Sequence, residues 1–240
     1  MSVTDHDTTA AWEDAGNAAA EHGIEFVPGV EITAVLDGRD VHVLGYFPTL
    51  RVPMMEDFLR EQRIDRLRRV RLILRRLVEL GMAVDLEPAL RDAERHPGRT
   101  VGRPQIADAM IAAGYVANRD EAFSRYLGHG CRAFVPRTGA KPHDVVELIG
   151  ATGGLASLAH PGLLDHDEII LSLVLAGMPA IEAFHSDHDP ETTARYRRLA
   201  SASRLLVTGG SDFHGDDRAT LGRIGLPEED YAAFRTRLFE

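Results

Sequence analysis

The chain has few of the features that mark secreted or membrane proteins. It contains one cysteine, Cys131, so no internal disulfide framework can form, and we expect a reducing, cytoplasmic location. No apolar run approaches the roughly 20 residues that a membrane-spanning helix needs. The N-terminus shows no charged and then apolar signal peptide. We therefore expect no membrane partner.

The chain also has fewer basic residues than acidic ones, 27 against 37. The formal net charge is −10 at pH 7, which argues against binding to long DNA, because bulk acidity repels a phosphate backbone. Any nucleotide would have to bind in a local cationic pocket. Hydrophobic residues make up 44% of the 240 residues, enough for an α/β domain with an insertion, and eleven histidines are a raised count.

Several short apolar runs that end in polar residues or glycine indicate buried strands. They are “IEFVPGVEI”, “VHVLGYF”, “GGLASLAHPG”, “GMPAIEAFHS” and “RLLVTGGSDFHG”. Helical stretches are predicted between some of them, over 9–22, 143–149 and 191–202. Strands that alternate with helices predict a mainly parallel sheet or barrel, with the ligand at the carboxyl ends of the strands.

The middle of the chain has a different pattern. Apolar residues recur at steps of three or four over 54–80, which predicts one long amphipathic helix that Gly81 ends, and two further helices follow over 104–113 and 119–127. We interpret 51–136 as a helical insertion that caps a core made of 1–50 and 137–240. Eight arginines cover much of the long helix: Arg60, Arg63, Arg66, Arg68, Arg69, Arg71, Arg75 and Arg76. They predict a solvated surface, with a substrate-facing role for one or two as the alternative.

Imidazole or carboxylate groups fall at or near the ends of six strand-like segments. These residues are His6, Glu31, His42, His160, His185, Asp212 and His214. Strand ends of a barrel converge on one mouth, so the groups can meet, and together they suit Zn²⁺, Mn²⁺ or Fe²⁺ better than Ca²⁺ or Mg²⁺. Each residue alone has an ordinary structural explanation, whereas their joint occurrence favours a metal site. Asp5 and Asp7 are expected to orient His6 or to cap the following helix.

The segments “TDHDTT”, “PGVEIT”, “VHVLGYF”, “LAHPG” and “GSDFHG”, in this order, resemble the polymerase and histidinol phosphatase (PHP) family of metal-dependent phosphoesterases. “VGRPQIADAMIAAGYV” and “EAFSRYLGHGCRAFVPR” are similar to the helical insertion of the small branch that hydrolyses nucleotide phosphates. The resemblance implies an α/β fold, a distorted seven-stranded βα barrel that holds up to three ions. The matching ligands are His6, Glu31, His42, His160, Asp212 and His214.

One part of the family pattern has no counterpart before “TDHD”. The family opens with a strand that ends in His-x-His, so we expect a barrel that is incomplete at its N-terminus. The site on Glu31, His42 and His160 would keep three protein ligands, while the other two would be weakened, so one or two ions are expected. A start codon set too far downstream and a shortened paralogue both remain open.

The resemblance also implies a mechanism. A metal-activated hydroxide would attack phosphorus while arginines neutralise the phosphoryl oxygens, and Arg103 and Arg137 are the candidates for binding the substrate. His185 would contact phosphate or protonate the leaving group. The implied partner is a small phosphorylated nucleotide, such as a nucleoside 3′,5′-bisphosphate, or the 5′ end of short RNA. The alternatives are a non-catalytic metal or nucleotide binder and an amidohydrolase.

Overall fold

The computed structural model describes residues 1–164, 167–213 and 221–240. The strands are β1 (Ser2–Val3), β2 (Val27–Leu36), β3 (Arg39–Tyr46), β4 (Leu155–Leu158), β5 (Ala180–His185) and β6 (Leu206–Gly210). The α-helices are α1 (Trp12–Glu21), α2 (Pro53–Glu79), α3 (Glu87–Arg95), α4 (Arg103–Ala112), α5 (Arg119–Ala122), α6 (Pro142–Ala151), α7 (Glu168–Leu175), α8 (Pro190–Ser203) and α9 (Glu228–Phe239). A π-helical turn, Phe123–Leu127, continues α5, and a 3₁₀ turn, Pro161–Leu163, follows β4.

The six strands form one sheet in chain order, which curls into a half-barrel. The pairs β1–β2, β4–β5 and β5–β6 are parallel, as the alternation of strands and helices predicts. The two pairs that involve β3 are antiparallel. The sheet is therefore mixed, and the α/β barrel-type fold is confirmed.

A tight hairpin explains why β3 runs against its neighbours. Leu36 pairs with Arg39, so only Asp37 and Gly38 lie in the turn. Both have positive φ, at 50° and 78°, the combination that a type I′ hairpin turn requires. Asp-Gly between two apolar runs is a readable hairpin signal that our sequence interpretation did not use.

The predicted helices are present, with shifted boundaries. The helix expected over 54–80 is α2, and Gly81 follows it with a φ of 77°, in keeping with its predicted role as a stop. The first helix begins at Trp12 rather than at residue 9. No helix within the described ranges combines the length and the apolar character that crossing a bilayer requires.

Two large apolar clusters account for most of the buried side chains. The first lies between the sheet and its helices and includes Ile32, Val43 and Ile181. The second lies among α2, α3, α4 and the π-helical turn. Helix α2 belongs to both, because Met55 and Leu59 pack in the first cluster while its later turns pack in the second. Ile64, one of the apolar residues of the repeat over 54–80, is 60% exposed and does not pack in either cluster.

Candidate metal centre

Three imidazole rings surround the carboxylate of Glu31. His42 Nδ1 lies 2.7 Å from Glu31 Oε1, and His160 Nε2 lies 3.3 Å from the same oxygen. The other oxygen, Oε2, lies 3.6 Å from His6 Nε2. The two ring nitrogens of His42 and His160 are themselves 3.1 Å apart. The structure thus brings together four of the residues that the sequence proposed as ligands.

The strand pairing accounts for this convergence. Glu31 lies in β2, and His6 forms an isolated parallel bridge with it. His42 pairs with Thr33, two residues beyond Glu31 and on the same face of β2, so it is a diagonal neighbour of Glu31. His160 lies just beyond β4, whose pairing with β3 brings it next to His42. Residues that are up to 154 positions apart in the chain therefore meet around Glu31.

Burial and the surrounding rings set the charge of Glu31. The residue is only 5% exposed, and burial alone would raise its pKa. Hydrogen bonds from His160 and His42 outweigh that effect and hold the pKa of Glu31 well below its usual value. The pKa of His160 is raised: burial would lower it, but its hydrogen bond to Glu31 and the charge of that carboxylate prevail. The arrangement keeps an ionised acceptor at the centre of the rings.

The donor set fits a divalent cation. Each of His6, Glu31 and His42 offers one ligand atom, and these atoms all lie within 4.8 Å of one another. Ligands at about 2.1 Å from a tetrahedral cation lie roughly 3.4 Å apart, somewhat more than the 2.7–3.3 Å that separates Glu31 Oε1, His42 Nδ1 and His160 Nε2. Nitrogen and carboxylate oxygen donors together suit a transition metal such as Zn²⁺, Mn²⁺ or Fe²⁺.

A buried carboxylate that the sequence interpretation missed supports His160. Glu182 Oε2 accepts a 2.7 Å hydrogen bond from the backbone N–H of His160. Burial raises the pKa of Glu182 to about 8. An acid in the apolar run “GMPAIEAFHS” was the signal that could have identified it, since an acid inside a strand is rarely buried without a partner.

His185 lies at the edge of the same cluster. It is 3% exposed, and its ring centroid is 5.4 Å from that of His160. Its Nδ1 accepts a hydrogen bond from the backbone N–H of Asp187, which assigns the ring proton to Nε2. Nε2 lies 3.8 Å from Asp212 Oδ2. Asp212 therefore lies beside His185, whereas His214, the sixth proposed ligand, falls outside the described residues.

The two candidate substrate arginines form ion pairs with aspartates. Arg137 Nη2 lies 3.0 Å from Asp7 Oδ2, and Arg103 Nη2 lies 3.3 Å from Asp40 Oδ2. Arg103 is the first residue of α4, so the helix begins one residue before Pro104, where the sequence predicted its start. The expectation that Asp7 orients His6 or caps α1 is not what the structure shows. No side chain caps α1, and the carboxylate of Asp7 binds arginines and the backbone N–H of Thr33.

Seven of the eight arginines of α2 fall into two groups, and the eighth, Arg71, is half-buried and pairs with Glu94 at 2.6 Å. Arg60, Arg68, Arg75 and Arg76 are exposed, in agreement with the solvated surface that the sequence predicts. Arg63, Arg66 and Arg69 turn inward instead. Arg63 and Arg66 donate to Asp7, and Arg69 donates to the backbone carbonyl of Val135. Sequence periodicity could not separate the two groups, because it does not show which side of the helix faces the sheet.

Comparisons with known proteins agree with this geometry, although no family model matches the chain. The 5′-3′ exoribonuclease Rnm of Salmonella typhimurium is 32% identical over 221 residues, covering 89% of this chain and 74% of that protein. The 3′,5′-nucleoside bisphosphate phosphatase of Chromobacterium violaceum is 30% identical over 219 residues, covering 89% of this chain and 76% of that protein.

Two solved structures share the fold of this chain. One is described as a metal-dependent phosphoesterase from Bifidobacterium adolescentis. It superposes with a TM-score of 0.83 at 30% identity, over 98% of this chain and 85% of that one. Another is described as an amidohydrolase from Chromobacterium violaceum with bound sulfate and no metal. It superposes with a TM-score of 0.84 at 28% identity, over 98% of this chain and 85% of that one. With the ring of imidazoles around Glu31, these relationships show that the chain is an enzyme that belongs to the PHP family of metal-dependent phosphoesterases.

Proposed function

We propose that the protein hydrolyses a phosphate ester of a small nucleotide, either a nucleoside 3′,5′-bisphosphate or the 5′ end of a short RNA. The observation that carries the proposal is the convergence of His6, His42 and His160 on the buried carboxylate of Glu31. Arg66 and Arg137 bind the carboxylate of Asp7, the residue after His6, and supply positive charge beside it. Relatives named for exoribonuclease and bisphosphate phosphatase activity support this substrate class.

The ligands divide by the two oxygens of Glu31. His42 and His160 face Oε1 and would hold one ion with it. His6 faces Oε2 and would serve a second site together with His214. Asp212, with Glu31, would serve a third. We expect one or two ions of Mn²⁺, Zn²⁺ or Fe²⁺, because imidazole and carboxylate donors favour these metals. Bound there, the ions would supply Lewis acidity and lower the pKa of a water molecule.

The other side chains of the site bind and orient the substrate. Arg103 and Arg137 would contact phosphoryl oxygens, and both lie in partly enclosed surroundings where a charged hydrogen bond is strong. His185 carries its proton on Nε2 and would donate it in a hydrogen bond to a phosphoryl or leaving oxygen. The helical segment 51–136 would form a cap over the site. The net charge of −10 favours a small substrate that fits one local cationic pocket over long nucleic acid.

A direct test uses the purified chain, loaded with Mn²⁺ or Zn²⁺, with adenosine 3′,5′-bisphosphate and a 5′-phosphorylated trinucleotide. We expect release of inorganic phosphate from the first or of a mononucleotide from the second. The turnover should disappear in His160→Ala and persist in His22→Ala, an exposed histidine on α1's C-terminal side. Stoichiometric metal with no turnover of either compound would instead favour a non-catalytic binder.

A further inference from the structure

Asp7, which follows the proposed ligand His6, is the meeting point of the sheet and the helical insertion. Its side chain is fully buried. Its Oδ1 accepts a hydrogen bond of 3.1 Å from the backbone N–H of Thr33. Its Oδ2 accepts from both Arg66 and Arg137. No sequence motif that we used pointed to this convergence, because the two arginines lie 59 and 130 residues away in the chain.

The backbone of Asp7 is held as firmly as its side chain. Its φ is 54°, a left-handed conformation that residues other than glycine rarely adopt. The N–H donates to Glu31 O at 2.9 Å, and the carbonyl accepts from Arg63 Nη1 at 2.8 Å. A residue that is held in an uncommon conformation by several partners is often part of a functional site.

The charges around Asp7 do not balance. One carboxylate meets the guanidinium groups of Arg66 and Arg137, and Arg63 adds a third positive charge through the backbone contact. Asp40 is a second carboxylate near Arg137, but it pairs with Arg103 at 3.3 Å, so it leaves the excess positive charge unchanged. Within the described part of the chain, the buried Nε of Arg66 has no hydrogen-bond acceptor. Such a group favours the arrival of an anion.

The excess charge lies against the proposed metal centre. Asp7 follows His6 directly, and its N–H is bonded to the backbone of Glu31. Arg66 Nη2 lies 3.5 Å from Thr33 Oγ1, and Thr33 pairs with the proposed ligand His42 between β2 and β3. The arginines and the ring cluster therefore border the same space.

We propose that Asp7 is a positioning residue that holds Arg66 and Arg137 as an anion-binding pair at the His6 side of the site, where they bind phosphate oxygens of the substrate. The proposal rests on the phosphoesterase function proposed above and adds Arg66 and Asp7 to its binding residues. A planar guanidinium presents paired donors that match a phosphate, and a carboxylate behind it fixes its orientation.

The test is the binding of inorganic phosphate to the metal-loaded chain, measured by calorimetry, together with metal content and the thermal midpoint. The variants are Arg66→Met, Asp7→Asn and the double variant. Arg68→Met is the matched control, because Arg68 lies on the same helix with its side chain 64% exposed. We expect the Kd for phosphate to rise roughly tenfold or more in Arg66→Met and in Asp7→Asn, with metal content unchanged. In Arg68→Met it should change less than about twofold.

The charge of Asp7 makes the Asn variant decisive. If Asp7 only competed with the phosphate for the arginines, its neutralisation would tighten phosphate binding, and the proposal would be wrong. The double variant should bind more weakly than Arg66→Met, because Asp7 also holds Arg137, but by less than the product of the two single effects, since Asp7 acts partly through Arg66; effects that multiply fully would show that Asp7 acts elsewhere. Wild-type chain that binds no phosphate at millimolar concentration would also overturn the proposal.

Measuring nucleotide hydrolysis beside phosphate binding distinguishes a failure of this proposal from a failure of the proposed function. A wild-type chain that hydrolyses nucleotides, with variants that bind phosphate normally, would overturn the arginine pair and leave the function standing. A chain that binds phosphate through Arg66 but hydrolyses no ester would support the arginine pair and overturn the proposed function. In the variants that turn over, we expect the change in KM to exceed the change in kcat, which loss of fold stability alone would not produce.

Discussion

The carboxylate of Glu182 holds the backbone of His160 through a hydrogen bond of 2.7 Å to its N–H. His160 has φ 27° and ψ 56°, an uncommon conformation for a residue with a side chain. This conformation lets the ring turn back from the end of β4 toward Glu31 and His42. A buried acid in β5 thus fixes a proposed ligand that lies just beyond the neighbouring strand, β4.

Glu182→Ala is therefore expected to loosen His160. Because it removes the acceptor of a buried N–H, it should lower the free energy of unfolding by about 1–3 kcal/mol. It should also reduce bound metal. Chemical denaturation and elemental analysis measure the two effects. Glu182→Gln keeps an acceptor oxygen at the same place and serves as the control, which should retain most of the metal. Equal metal content in the wild type and the Ala variant would contradict this role.

His42→Ala and His160→Ala should sharply reduce the metal content of the purified chain. Each change removes one of the donors that face Glu31 Oε1. Loss of one ligand from a site of three leaves too few bonds for tight binding. His22→Ala, which alters an exposed histidine, should bind metal as the wild type does. Unchanged metal in both site variants would show that the site is elsewhere.

Arg103→Met is expected to raise the KM for a nucleotide substrate by about tenfold or more, since it removes a charged hydrogen bond to phosphate. Steady-state kinetics on the metal-loaded chain would measure this. Arg119→Met, in α5, is a matched control, because Arg119 also pairs with an aspartate, Asp108, but at the surface. If both variants shifted KM equally, Arg103 would have no specific contact with the substrate.

Removal of metal should lower both activity and stability. An ion that binds the folded chain but not the unfolded chain adds about 2.7 kcal/mol at 100 times its Kd. We expect a chelator to abolish turnover and to lower the thermal midpoint, and added Mn²⁺ or Zn²⁺ to restore both. The Glu31→Gln variant, which weakens the central ligand, should show little change in midpoint on chelation. A full midpoint shift in that variant would contradict the assignment of Glu31.

Leu77→Ala should destabilise the chain by about 2–5 kcal/mol, because Leu77 is fully buried in the second apolar cluster. Val78, the next residue on α2, is 58% exposed. Val78→Ala should therefore change the free energy of unfolding by no more than about 0.5 kcal/mol. Denaturant titration of both variants would measure the difference, and similar losses would contradict the observed orientation of α2.

The sequence by itself determined the α/β class, the long helix that stops before Gly81, and the identity of the residues that gather at the site. His6, Glu31, His42 and His160 could be named because motif order and residue chemistry are local properties of the chain. The direction of β3 was also encoded locally, in Asp37 and Gly38, although we did not use that signal.

Only the tertiary structure decided how the proposed ligands are held in place and which other side chains lie against them. Glu182 reaches His160 across 22 residues, and Arg66 reaches Asp7 across 59. Helical periodicity shows that α2 has two faces, but it does not show which arginines lie against the sheet. That choice depends on how α2 packs on two separate clusters. Contacts between distant segments follow from strand pairing and packing, and no single stretch of sequence specifies them.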